Sequence, residues 1–143
     1  MTDAVLTPRL IVSNADEAVA FYAAVFGAEE RERYVAPNGH VIHVGLSIRG
    51  ADLTLAEAHE DWYPEARPDG SPILLTVLCD DPDAVAAAAE TNGGTILIPV
   101  DDRFYGRREG RIRDPFGHLW IVSKLTDDKS AAQIQKAIDA MGM

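Results

Sequence analysis

Two histidines and one glutamate in this sequence are candidates to move a proton or hold a metal: His43 and Glu57 on expected strands, and His118 just before one. In the segment Val41-Ile42-His43-Val44-Gly45-Leu46-Ser47-Ile48, strand alternation sets Ile42, Val44, Leu46 and Ile48 on one face. Val41, His43, Gly45 and Ser47 fall on the other. The continuous apolar face is expected against helices. That turns His43 toward a cavity, with Gly45 leaving room for a ligand. Glu57 shares its strand face with Leu53 and Leu55, which reads as an acid in a mostly apolar wall. Were His43 and Glu57 to converge, they would form a base with its orienting carboxylate, or, with His118 and a water, a nonstandard metal site. The plainer alternative is a hydrogen-bonded histidine without function and a strand-end acid in solvent. His40, after Asn38-Gly39, reads as a turn residue, and His59 as solvated.

Aromatics and arginines supply a second kind of chemistry. Trp62, Tyr63, Phe104 and Tyr105 fall in expected loops, where no core requires them, and are candidates to stack on a flat ligand. Asp101 and Asp102 beside Phe104-Tyr105 suit a cationic aromatic guest. Arg107, Arg108, Arg111 and Arg113 lie on one expected strand. They would suit an anion such as a phosphonate, although pairing with strand neighbours or with Asp114 is the commoner use of such residues. Asp114-Pro115-Phe116-Gly117 is turn chemistry: proline presets φ, glycine accepts φ > 0, and aspartate bonds back to following amides. Trp120, just beyond the turn, reads as core.

These residues need elements to position them, and the elements repeat. Residues 12–27 align with residues 78–93, each running apolar strand, acidic or amide cap, helix, glycine. Asn14 with Glu17 three positions on, and Asp80 or Asp81 followed by Pro82, are helix starts; Gly27 and Gly93 are the stops. Strands are expected at 5–12, 29–35, 41–48 and 52–58, then at 73–79, 95–100, 107–113 and 119–124. The order is βαβββ twice, an α+β arrangement of module one (residues 4–58), a linker (59–72) and module two (73–125) within a single domain. An amphipathic helix is expected over 127–143, capped by Ser130 or Asp128, with Ala131, Ile134, Ile138 and Met141 on one stripe.

Composition narrows the classes. A chain of 143 residues that is 47% hydrophobic buries a core without staples. One cysteine, Cys79, excludes an internal disulfide and a multi-cysteine zinc site. A formal charge of −10 argues against nonspecific nucleic-acid binding. No apolar run approaches the ~20 residues of a membrane span, and the start lacks a signal-peptide pattern, so a cytoplasmic protein is expected.

The βαβββ pair with an Asp-Pro-Phe-Gly-His turn near its end resembles the vicinal oxygen chelate superfamily of glyoxalases, extradiol dioxygenases and bleomycin-resistance proteins. The stretch from Gly106 to Trp120 and the tail Leu125-Thr126-Asp127-Asp128 look like its PhnB-like branch. The resemblance implies two modules forming a cup-shaped mixed sheet, with the ligand inside, helices outside, and completion by a homodimer. Its enzymes hold a divalent metal through four positions, which fall here at Thr7, Glu57, Leu74 and Ile121. Only Glu57 is a metal ligand by type, so no cofactor is expected. The implied function is binding of a small molecule, such as a cationic aromatic antibiotic or metabolite, without catalysis, using His43, Gly45, Glu57, Trp62, Tyr63, Phe104, Tyr105 and Ile121. The competing expectation is a metal-dependent lyase, isomerase or dioxygenase with His43, Glu57 and His118 as ligands.

Overall fold

The computed structural model describes residues 6–61, 63 and 73–142. Module one consists of β1 (Arg9–Val12), α1 (Ala15–Phe26), β2 (Glu29–Val35), β3 (Val41–Ile48) and β4 (Ala51–Glu57). Module two repeats the order with β5 (Leu74–Leu78), α2 (Pro82–Thr91), β6 (Thr95–Arg103), β7 (Arg107–Arg113) and β8 (Leu119–Leu125), and α3 (Ala131–Met141) follows. The βαβββ duplication read from the sequence is the observed topology. Each module forms one four-stranded mixed sheet, β1-β4-β3-β2 (sheet 1) and β5-β8-β7-β6 (sheet 2), with the first strand parallel to the last.

The helix ends follow local chemistry. The Asn14 side chain accepts from the Glu17 amide, and Gly27 closes α1 in the left-handed region at φ 70°. Asp81 accepts from the Ala84 amide with Pro82 in the first turn of α2. Ser130 and Gln133 form a reciprocal capping box on α3. That helix starts later than residue 127 because the Thr126 and Asp127 amides both donate to the Gly106 carbonyl, tying the segment to the β6–β7 turn. Strand β6 runs past residue 100 to Arg103, since Asp101, Asp102 and Arg103 still pair with β7 beyond two register shifts.

One core serves both modules. Leu10, Val12, Val44, Leu46, Ile48, Leu53 and Leu55 of sheet 1 and Val77, Ile112, Trp120 and Val122 of sheet 2 join α1 and α2 in a single buried cluster. Trp120, 2% exposed, meets the rings of Tyr22 and Phe26 at 5.6 and 4.6 Å. The helices therefore lie between the two sheets of the chain, on the outside of each half-cup as the resemblance implies. Each sheet is half of a cup, and the two halves open away from each other. The physical reason is economy of exposure, because pooling two apolar helix faces buries both at once. At the start of β3 the expected alternation is reversed. Val41 is buried and Ile42 is 44% exposed, because Tyr34 pairs with His43 and Val35 with Val41, leaving Ile42 as an extra residue. No helix among the described residues is long and apolar enough to cross a membrane.

Candidate functional site

The outer face of sheet 1 carries a connected polar line. Cross-strand pairing places His43 beside Tyr34, Gly45 between Glu32 and Thr54, and Arg9 beside Thr54. Glu32 reaches over Gly45, where a Cβ would collide with its carboxylate, and its Oε2 meets His43 Nε2 at 2.7 Å. Thus Gly45 makes room, as expected, but for Glu32. Arg9 Nη2 lies 3.0 Å from His43 Nδ1. A guanidinium only donates, so Nδ1 must accept and the imidazole proton sits on Nε2, donating to Glu32. Tyr34 stacks on the imidazole at 5.2 Å, and Arg9 also lies 6.0 Å from the Tyr63 ring centroid. Both nitrogens of His43 are therefore committed. Along the same face a groove of about 610 Å³ is lined by Thr7, Glu32, Gly45, Ser47, Asp52 and Thr54, among others.

Glu57 is elsewhere. Its Oε2 accepts from the Ala15 amide at 2.8 Å and its Oε1 from the Val41 amide at 2.8 Å. It ties the start of α1 to the start of β3 on the helix side of sheet 1, so it does not converge with His43. His118 Nε2 lies 2.8 Å from the Ile11 carbonyl and links the modules. Leu74 and Ile121 stand on the outer face of sheet 2, and Thr7 on that of sheet 1. Among the described residues no three His, Cys, Asp or Glu side chains gather. This donor set does not fit a divalent metal, because its one carboxylate is consumed as a cap and its histidines serve Arg9, Glu32 and a backbone carbonyl.

The outer face of sheet 2 is of the opposite character. Arg107, Glu109, Arg111 and Arg113 of β7 share it with Leu119, Ile121 and Ser123 of β8 and with Ile98 and Arg103 of β6. Tyr105 and Ile121, both expected at a site, meet Ile98, Arg103, Glu109 and Arg111 around a cavity of about 250 Å³. The Tyr105 hydroxyl donates to Glu109 Oε1. Burial first, then that bond and the charge of Glu109, push the phenol above its ordinary value, so it stays a donor. Phe104 packs edge-on against Tyr105 at 5.1 Å outside the cavity lining. Trp62 lies outside the described residues. The acids expected to favour a cation are otherwise engaged: Asp102 pairs with Arg108, and Asp101 Oδ1 accepts from the Asp102 amide.

Arg9 and Glu32 are not among the residues the sequence singles out, and Arg111 is there an anion candidate for which strand pairing is the commoner use. The available signal was Gly45, a strand glycine flanked across the sheet by a charged side chain. A further cleft of about 470 Å³ separates the sheet edges, lined by Ile48, Arg49, Leu53, Leu75, Val77 and Trp120 among others, and none of the expected site residues that the structure describes lines it.

The back-to-back pair of βαβββ modules has many counterparts among solved structures. TioX from Micromonospora sp. ML1 superposes with a TM-score of 0.67 at 23% identity, over 85% of this chain and 98% of its own. A PhnB protein from Bacillus cereus gives 0.67 at 21%, over 85% and 99%. The fosfomycin resistance protein FosX from Mesorhizobium loti gives 0.65 at 15%, over 94% and 99%. At these identities the likeness speaks for the fold. An uncharacterized protein of Mycobacterium bovis (strain ATCC BAA-935 / AF2122/97) is 30% identical, over 96% of this chain and 93% of its own. The profile of the glyoxalase/bleomycin resistance protein/dioxygenase superfamily matches residues 4–122. By the duplicated fold, its registers and this match over most of its length, the chain belongs to the glyoxalase/bleomycin resistance protein/dioxygenase superfamily.

Proposed function

We propose that the protein binds a small molecule, without catalysis and without a metal, in a cavity built by two copies of the chain. The outer face of sheet 1 in one copy lies against the outer face of sheet 2 in the other. The observation that carries this reading is the pair of half-cups on opposite sides of a shared core, each with a groove that no described residue covers. Leu78, 57% exposed, and Ile98, 39% exposed, stand on the sheet 2 face and favour a covering surface. Charge favours the pairing as well. Sheet 2 presents Arg103, Arg107, Arg111 and Arg113 against Asp101 and Glu109, whereas sheet 1 presents Glu29, Glu32 and Asp52 against Arg9 and Arg31. With His43 held between Arg9 and Glu32, the lining offers recognition rather than a free base.

Sedimentation of the tag-free protein at micromolar concentration is expected to give a dimer. Leu78→Asp is expected to yield monomers with unchanged far-UV circular dichroism, and loss of probe binding with them. Elemental analysis after dialysis is expected to find no stoichiometric metal. Retained zinc, nickel, manganese or iron at one per chain, or a wild-type monomer that binds probes as well as any dimer, would overturn the reading.

A further inference from the structure

We propose that the bound molecule carries an oxyanion, a carboxylate or phosphoryl head on a small apolar body, and that Arg111 receives it. The proposal rests on the binding reading above and names the ligand class of its sheet 2 half. Arg111 stands in mid-strand between Ile98 of β6 and Ile121 of β8, in the wall of the cavity of about 250 Å³. Its Nε is buried and has no hydrogen-bond partner among the described residues. A guanidinium is always charged and presents five donors in a planar fork, so a buried N–H left unmatched is unfavourable until an acceptor arrives.

The nearby acids do not fill that role. Glu109 Oε1 accepts from the Tyr105 hydroxyl. Asp114 is occupied by Tyr22, Trp120 and two backbone amides, and Asp101 Oδ1 accepts from the Asp102 amide. On the same face Arg107 donates to the Ser123 hydroxyl, and Arg103 to the carbonyls of Pro99 and Glu109. Their positive charges thus meet neutral oxygens. Arg108, on the helix side of the same strand, is instead paired with both Asp83 and Asp102. Acids are supplied to the arginine that faces the helix, whereas Arg103 and Arg107 on the outer face donate to neutral oxygens and, with Arg111 and Arg113, outnumber Asp101 and Glu109 there, leaving a net positive face. In a chain of formal charge −10 this is a local inversion, and between the two ligand charges the sequence offered it favours the anion over the cation expected beside Asp101 and Asp102. Ile98 and Ile121 on either side of Arg111 set the apolar body, and the bidentate fork sets the head.

Nuclear magnetic resonance of the full chain, with the Arg111 Nε–H assigned, tests this with benzoate, phenylphosphonate and benzylammonium. Either anion is expected to shift that resonance saturably, with affinity falling as salt rises. Arg111→Gln is expected to lose roughly tenfold or more in affinity, and Arg111→Lys less, since it keeps the charge without the fork. Because the first readout uses the wild-type protein, it stands even where a variant fails to fold. Binding of benzylammonium with neither anion bound would overturn the charge class and leave the cavity reading intact. No perturbation on either outer face by any of the three probes would overturn both. Anion binding undiminished in Arg111→Gln overturns the assignment, as does loss of the dimer in that variant when anions leave the wild type untouched, which gives Arg111 to a carboxylate of the second copy.

Discussion

Asp114, 3% exposed, accepts from four donors: the Tyr22 hydroxyl at 2.5 Å, Trp120 Nε1 at 2.9 Å, and the amides of Phe116 and His118 at 2.9 and 3.0 Å. The two amides shape the turn, and the two side chains bring the turn onto α1 and into the core. Burial first, then the charge of and bond to Asp114, push the Tyr22 phenol well above its ordinary value of 10.0. A folded-state value raised above the unfolded one contributes stability that is present below pH ~10 and lost as pH climbs beyond it. Tyr22→Phe is expected to cost about 1.5–3 kcal/mol at neutral pH, since a carboxylate loses a charge-assisted bond. The gap to wild type should narrow above pH ~10, where only the wild type carries the tyrosine penalty. Urea unfolding at two pH values measures both, and a gap independent of pH would refute the linkage. The turn and the buried Trp120 were legible because their residue types admit few conformations. His43 and Glu57 do not converge, and alternation already separated them: Glu57 shares the face of Leu53 and Leu55, and His43 opposes that of Val44 and Leu46.

At the scale of elements, Glu57 is a joint between β4, α1 and β3. Its two oxygens satisfy two amides that would otherwise be orphaned. Glu57→Gln keeps the shape and removes one acceptor. It is expected to cost about 1–3 kcal/mol in urea unfolding, in the range for an unsatisfied buried donor, while leaving anion affinity unchanged. Loss of affinity at full stability would return Glu57 to the site. Helix starts were legible because Asn14, Asp81-Pro82 and Ser130 act on amides two or three residues away. Strand ends were less so. The extension of β6 through Asp101-Asp102-Arg103 depends on pairing with Arg107, Arg108 and Glu109, and no short window contains both partners.

For the whole molecule, the shared core makes each module dependent on the other. Tyr22 and Phe26 of module one rest on Trp120 of module two, and His118 bonds the Ile11 carbonyl. A fragment of residues 1–60 is expected to unfold without a cooperative urea transition and to recover one when mixed with residues 61–143. A sharp transition in the isolated fragment would show that the halves are independent. The duplication was legible because each copy carries its own caps and alternation. The side on which the helices meet was not, since either packing satisfies the pattern within one module.

The outward-facing halves have a consequence for growth. When the face on one side of a molecule accepts the different face of the next, every copy added leaves one of each unfilled, and assembly has no internal stop. It ends only where the contacts close into a ring, of which two copies meeting both contacts at once is the smallest. The rotation that the two faces impose between successive copies, more than the strength of either contact, then determines whether the product is a closed ring such as the pair or a filament.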